Sequence, residues 1–190
     1  MQLKDAIKTR KSVKRFMTSK PNWRKIIKAI DMARFAPRAG NQFVTKFILV
    51  KDKDKIAELA EASQQDFIKQ AHFVVVAVSN NSILKRSFDE RGEMFTRQQA
   101  GAAIENFLLA LVEQKLATCW VGFFAEDQVK RILEIHDEKL SVEALFPIGK
   151  ETKAPVQGRE KSEPDLENLL FFDKWGNKYM NPKTMVDENA

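Results

Sequence analysis

Cysteine is almost missing from this sequence: Cys119 stands alone among 190 residues. That excludes an internal disulfide and fits a reducing compartment. With two histidines, His72 and His136, and no cysteine cluster, no ligand set for a structural zinc or iron–sulfur centre is present, and no metal site is expected. The seven glycines, at 40, 92, 101, 122, 149, 158 and 176, form neither GxGxxG nor GxxxxGK. The usual backbone cradles for dinucleotide and nucleoside-triphosphate phosphates are therefore lacking, as are GxSxG and HExxH. No apolar run reaches the roughly 20 residues of a bilayer span. Lys4, Lys8, Arg10 and Lys11 break up the start, so no signal peptide and no membrane partner are expected, and a cytoplasmic location is.

What is present is globular in character, 44% hydrophobic and 31% charged. Its length suits one domain with a substantial core. The net charge of +6 is uneven, because residues 1–55 hold 16 Lys+Arg against 4 Asp+Glu. Such an excess fits a phosphate-bearing ligand, a nucleic acid or simply a solvated face. No nucleic-acid motif accompanies it and aromatic interleaving is thin, so no nucleic-acid partner is expected.

The chain is organised around Ala100–Phe124, AGAAIENFLLALVEQKLATCWVGFF. From Ala100 to Val112 only Glu105 and Asn106 interrupt small or apolar residues, which predicts a buried core helix. Glu105 and Asn106 inside it are expected to be buried and to need polar partners. Thr118–Phe124 is β-branched and aromatic and reads as a central strand. Cys119 reads as a packed thiol in that strand.

Elsewhere the periodicity predicts helices over 3–9, 23–35, 54–70 and 126–135, with Asn22 as an N-cap and Pro37 as a stop. Strands are expected at 46–51, 73–78 and 142–148, the second apolar throughout as for a strand covered on both faces. Residues 80–96 read as a helix or insert broken at Gly92, with Phe88, Met94 and Phe95 either over a pocket or in a subunit contact. From Lys150 onward polar stretches carry Leu169–Phe172 and Trp175, a tail that lacks its own core and suits wrapping around a partner. Four strands among five or six helices, not in strict βαβ order, predict an α+β three-layer sandwich.

The segment Arg10-Lys11-Ser12-Val13-Lys14-Arg15-Phe16 carries the chemistry. As an extended strand it alternates, so Arg10, Ser12 and Lys14 share one face and Lys11, Val13 and Arg15 the other. A guanidinium fork, an ammonium and a hydroxyl suit a phosphate dianion. An ordinary basic surface segment satisfies the same pattern. The loop Ala36-Pro37-Arg38-Ala39-Gly40-Asn41-Gln42 is small and turn-rich, so its backbone can approach a flat ligand.

RKSVKRF, then APRAGNQFVTKFILV, then QQAGAAIENFLLALVEQKLATCWVGFF, then LFPIGKETKAP come in an order and spacing that resemble the FMN-dependent nitroreductase family, over about residues 3–175. The resemblance implies a mixed, mostly antiparallel central sheet with a buried central helix, in a single domain over 1–190 whose residues 150–190 are a C-terminal extension embracing a partner. It implies a homodimer with an FMN site at each interface, built from both chains. Arg10, Lys11, Ser12 and Lys14 map onto the family's grip on the FMN phosphate and ribityl chain. Pro37, Arg38, Ala39, Gly40 and Asn41 map onto the loop along the flavin. Val121 and Gly122 map onto the flavin N5 side, and Ile148, Gly149, Arg159 and Lys161 complete the set.

The implied reaction is hydride transfer from NADH or NADPH through flavin N5 to a nitroaromatic, quinone or flavin acceptor, by ping-pong exchange. No side chain is catalytic there, since the cofactor carries the chemistry. The chain departs from the family pattern at Phe43-Val44-Thr45, where Gln-Pro-Trp is common, and at Arg38, where serine is. The change at Phe43-Val44-Thr45 motivates an alternative, a flavin carrier or redox sensor with little turnover.

Overall fold

The computed structural model describes residues 1–152 and 164–180. Two compact units divide at Lys153/Ala154. The first holds helices α1 (Leu3–Thr9), α2 (Trp23–Ala33), α3 (Lys53–Ala62), α4 (Asn81–Phe88), α5 (Arg91–Glu113) and α6 (Glu126–Ile132). Its strands are β1 (Thr45–Val50), β2 (Phe73–Asn80), β3 (Ala117–Thr118) and β4 (Leu140–Gly149), ordered β1-β2-β4-β3 with every pairing antiparallel.

Strand alternation makes this a three-layer α+β sandwich. On β2, Phe73, Val75 and Ala77 enter one core with Ile26, Ala29 and Ala33 of α2 and Ala103, Ile104 and Phe107 of α5. Val74, Val76 and Val78 enter the other with Ile56 and Leu59 of α3, Val129 of α6, and Ile68 of the 3-10 turn Asp66–Gln70. The apolar run is thus buried on both sides, as its composition requires. Between the pairs Ala77–Ala144 and Val78–Val142 the register shifts. The extra residue there is Glu143, and the shift turns Val142 to the α3/α6 side while Ala144 and Phe146 stay on the α5 side.

Local signals explain the element ends. Asn22 caps α2 by accepting the Arg24 N–H at 3.0 Å, and Asp52 caps α3 by accepting from Asp54 and Lys55. The helix expected over 54–70 is split, because Gln64 takes a left-handed φ of 53° and a 3-10 turn follows at Asp66–Gln70. With few glycines available, α3, α5 and α6 all end in the paired-bond Schellman arrangement with Gln64, Lys115 and Glu134 at the left-handed position.

Three expectations change on the central stretch. The helix starts at Arg91, absorbing residues assigned to the insert, and the break from α4 falls at Asp89–Glu90. At Gly92 a Cβ would lie 2.4 Å from the Leu84 backbone, so glycine permits the close approach of α4 to α5. The expected central strand is instead the two-residue edge strand β3 plus a single bridge from Val121 to Leu145. Its aromatic residues do not extend the ladder: Trp120, 43% exposed, meets Phe146 edge-on at 5.6 Å, and Phe123 is 72% exposed. Glu105 is exposed and Asn106 half-buried. Phe107 on the opposite face is fully buried between Phe47 and Phe146.

In the second unit the described residues hold a 3-10 turn, Leu166–Asn168, and a Phe171–Trp175 ring pair 4.6 Å apart. The Phe172 N–H donates to the Asn177 carbonyl at 2.8 Å. Among the described residues, no helix is long and apolar enough to cross a membrane, and no group of three metal-ligating side chains occurs.

Candidate functional site

The segment after α1 is clamped at two points. The Val13 N–H donates to the Thr118 carbonyl at 2.9 Å, within a parallel bridge between Ser12 and Thr118, and the Met17 N–H donates to the Lys150 carbonyl at 2.8 Å. Val13 and Phe16, three residues apart, are both buried with Ala71, so the segment does not keep a strict two-residue alternation between the clamps. Gly149 permits the second clamp, since a Cβ there would stand 2.6 Å from the Phe16 ring. Residues far apart in sequence thereby meet at one edge of the sheet.

They wall a cleft of about 600 Å³, lined by Arg10, Lys11, Ser12, Lys115, Thr118, Trp120, Lys150 and Glu151, with Leu108 and Leu111 at its apolar side. The size is that of a cofactor pocket. Arg10 faces Glu105 at 3.8 Å and Lys11 bonds Glu151 at 2.7 Å. Four cations against these two carboxylates leave two positive charges on the lining. The Thr118 hydroxyl is buried and has no hydrogen-bond partner. A buried orphan hydroxyl beside excess positive charge fits an oxyanion ligand.

The cleft gathers Arg10, Lys11 and Ser12 of the expected residues. Lys11, which strict alternation turned away, lines it too. Lys14 lies outside the lining, its ammonium 5.3 Å over the Phe67 ring. Val121 is buried, with both its N–H and its carbonyl engaged by Leu145, whereas Gly122 stands exposed. Ile148 is fully buried in the α5-side core. Arg159 and Lys161 lie outside the described residues. Burial pushes the Cys119 thiol up from its ordinary pKa, against the opposing pull of a Ser12 hydrogen bond and the Lys14 charge. A buried, protonated thiol is a packed one.

Pro37, Arg38, Ala39, Gly40 and Asn41 do not line this cleft. They form a separate 3-10 turn at Ala39–Asn41, with Gly40 at φ 55° and a Cβ there 3.2 Å from the Phe88 ring. Phe88 in turn meets Phe95 edge-on at 5.2 Å. Just beyond the turn, Gln99 of α5 accepts the Val44 N–H at 2.7 Å and donates to the Gln42 carbonyl at 2.9 Å. Gln99 went unnoticed in the sequence, although it shares the buried helix stripe with Ala103 and Phe107. Phe43 packs against the α5-side core, and Val44 and Thr45 are 2% exposed. The departures at 43–45 are therefore internal packing.

Lys115, Thr118, Trp120 and Lys150 also escaped selection as site residues. Only Trp120, an aromatic next to glycine-bearing backbone, carries a sequence signal for it.

A Nitroreductase family model matches residues 60–150. A Methanothermobacter thermautotrophicus protein provisionally named NADH dehydrogenase/NAD(P)H nitroreductase is 25% identical over 179 residues, 92% of this chain and 88% of that one. Among solved structures, a nitroreductase family protein from Clostridium novyi superposes with a TM-score of 0.74 at 29% identity, covering 97% of this chain and 100% of its own. An FMN-dependent nitroreductase from Clostridium difficile matches in fold at a TM-score of 0.71 and 21% identity, over 90% of this chain and 98% of its own. The resemblance read from the ordered motifs thus recurs in the family model and in the fold.

Proposed function

We propose, from the premise that this chain has the nitroreductase fold with a nitroreductase-family core at residues 60–150, that it is an FMN-dependent oxidoreductase using NADH or NADPH. The acceptor is a nitroaromatic, a quinone or a flavin. The observation that carries this reading is the cleft, where Arg10, Lys11, Ser12, Lys150 and the orphan Thr118 hydroxyl converge beside an exposed Trp120 and the apolar Leu108 and Leu111. A cationic end and an apolar side suit a phosphate joined to a flat ring. The name of the Clostridium difficile protein supplies FMN, and that of the Methanothermobacter protein supplies NAD(P)H.

FMN when bound supplies a two-electron carrier that accepts hydride and returns electrons to a second substrate. The chain's own residues bind and orient. Arg10 and Lys11 hold the phosphate by charge, and the Ser12 and Thr118 hydroxyls donate to its oxygens. Lys14, whose charge is felt by the Cys119 thiol, adds positive potential at that part of the chain. No side chain is asked to act as a nucleophile, base or acid.

A homodimer belongs to this reading. Leu3 of α1 and Met32 and Phe35 at the end of α2 are exposed, at 68%, 40% and 64%. Together with Asn106 and Leu109 of α5 they line an apolar hollow of about 420 Å³. A second copy covering this face accounts for it, and brings a partner loop equivalent to Pro37–Asn41 to the cleft, which a single chain leaves without it. The C-terminal segment then embraces the partner. The low-turnover carrier reading rested on Phe43-Val44-Thr45, and their inward packing removes its motive.

The test is the visible spectrum of the purified protein, followed by identification of the flavin it releases on denaturation. A yellow protein releasing FMN, reduced rapidly by NADH or NADPH, is the expected outcome. A colourless protein that fails to take up added FMN overturns the reading.

A further inference from the structure

The cations of the cleft fall into two kinds. Arg10 and Lys11 already face carboxylates, Glu105 and Glu151. Lys115 and Lys150 line the same cleft and make no ion pair among the described residues. From this difference we infer that Lys115 is a phosphate-contacting, specificity-determining residue, one that makes the site select a phosphorylated flavin over its dephosphorylated form. The inference rests on the flavin reading above and deepens it.

The position of Lys115 has a backbone cost. The Lys115 N–H donates to the Val112 carbonyl and the Leu116 N–H to the Leu111 carbonyl, both at 2.9 Å, so Lys115 is the left-handed residue that closes α5, at φ 58°. Glycine is the favoured residue there, because a Cβ strains the left-handed region. Gln64 and Glu134 occupy equivalent places on α3 and α6, so left-handed backbone alone marks no function. The surroundings of the side chain decide. Glu134 is spent on an ion pair with Lys55 at 2.9 Å, whereas Lys115 stands at the cleft.

Electrostatics supplies a reason for a cation at this point. The C-terminus of a helix carries partial negative charge and repels an anion. The Lys25 ammonium bonds the Gln114 carbonyl at 3.1 Å and offsets part of that charge from outside the lining. Lys115 does so from the lining itself, one turn of chain before the Thr118 hydroxyl, which is 8% exposed and unpartnered. The two positive charges left after pairing match the two negative charges of a phosphate monoester.

The experiment compares wild type with Lys115→Gly and Lys115→Arg in three readouts: FMN affinity, riboflavin affinity and melting temperature of the flavin-free protein. Lys115→Gly is expected to raise the melting temperature by about 2–4 °C through backbone relief. It should weaken FMN binding about 10-fold and leave riboflavin binding unchanged; Lys115→Arg should stay within about 2-fold of wild type for FMN. Unchanged FMN affinity in Lys115→Gly overturns the inference, and so does an equal loss for FMN and riboflavin, which would mean a structural role. A wild type that binds neither flavin removes the flavin reading instead. The cleft is then tested with inorganic phosphate: thermal stabilisation of wild type but not of Lys115→Gly supports Lys115 as an anion contact, and equal stabilisation refutes it.

Discussion

The charged cleft and the apolar outer face sit on opposite flanks of the same helix, α5, and are built in different ways. At the cleft, Arg10, Lys11, Thr118 and Lys150 come from the ends of separate elements, and their positions depend on two backbone clamps. On the outer face, Leu3, Met32 and Leu109 lie on the helices α1, α2 and α5, and Phe35 on the turn just after α2, so most of the face depends on helical periodicity. A ligand that needs charge at one place requires residues held point by point. A subunit contact requires area, which a helix stripe supplies without any clamp.

The sharpest way to break this comparison is to remove charge and hydroxyl from the cleft. Arg10→Ala combined with Ser12→Ala should weaken FMN binding about 100-fold or more, from two lost bonds to a charged group. The oligomeric state should not change. Flavin-fluorescence titration and sedimentation read both, and full affinity in the double variant would place the phosphate elsewhere.

A smaller effect is expected from the other face. Phe35→Asp places a charge in the apolar hollow, and should raise the dimer dissociation constant by about 30-fold, as for loss of one buried aromatic anchor. If wild type sediments as a monomer at tens of micromolar, the face is not a subunit contact and the contrast fails.

The smallest effect comes from a surface ion pair, which tests whether charge in itself matters. A hydrogen bond from Lys55 holds the Glu134 carboxyl below the usual range, and the same bond raises Lys55 above its own. The depressed Glu134 adds stability above its unfolded pKa and loses it as pH falls through the folded value. The raised Lys55 adds stability below its unfolded pKa and loses it as pH rises through the folded one. Lys55→Met should therefore lower the melting temperature near pH 7 by less than about 2 °C, since both groups are exposed. The two curves should converge as pH falls through the lowered Glu134 value, with flavin affinity untouched throughout. A change in FMN binding would show that charge anywhere on the surface serves.

The two regions also differ in how far they could be read in advance. Periodicity placed the start of α2 correctly, since Ile26 and Ala33 repeat at helical spacing whatever surrounds them; it gave the span of α1 as well, although that helix buries Ala6 and leaves Leu3 and Ile7 exposed. The unbroken apolar run of β2 announced cover on both faces for the same reason. Thr118–Phe124 was misread because β-branched and aromatic composition is not specific to strand pairing: Val121 is buried beside the sheet, Trp120 and Phe123 are exposed, and only Ala117 and Thr118 extend the ladder. Glu105 was misplaced because the count of apolar neighbours along one helix does not say which flank another layer covers. For the cleft, Arg10 and Ser12 stood out as a cluster, while Lys115 and Lys150 looked like any surface lysine.

By itself the sequence determined the α+β class, most core stripes of the helices, the doubly covered strand and the ordered motifs that carry the resemblance to nitroreductases. Each depends on residues close together in the chain, where periodicity and composition act directly. Only the tertiary structure decided that Arg10, Lys115, Thr118 and Lys150 share one cleft, that Pro37–Asn41 lie apart from it, and that Gln99 braces the backbone after that loop. Those facts depend on contacts between residues tens of positions apart, through backbone bonds such as Val13 to Thr118 and Met17 to Lys150. Backbone groups pair without regard to side-chain identity, so the pattern of side chains holds no record of them.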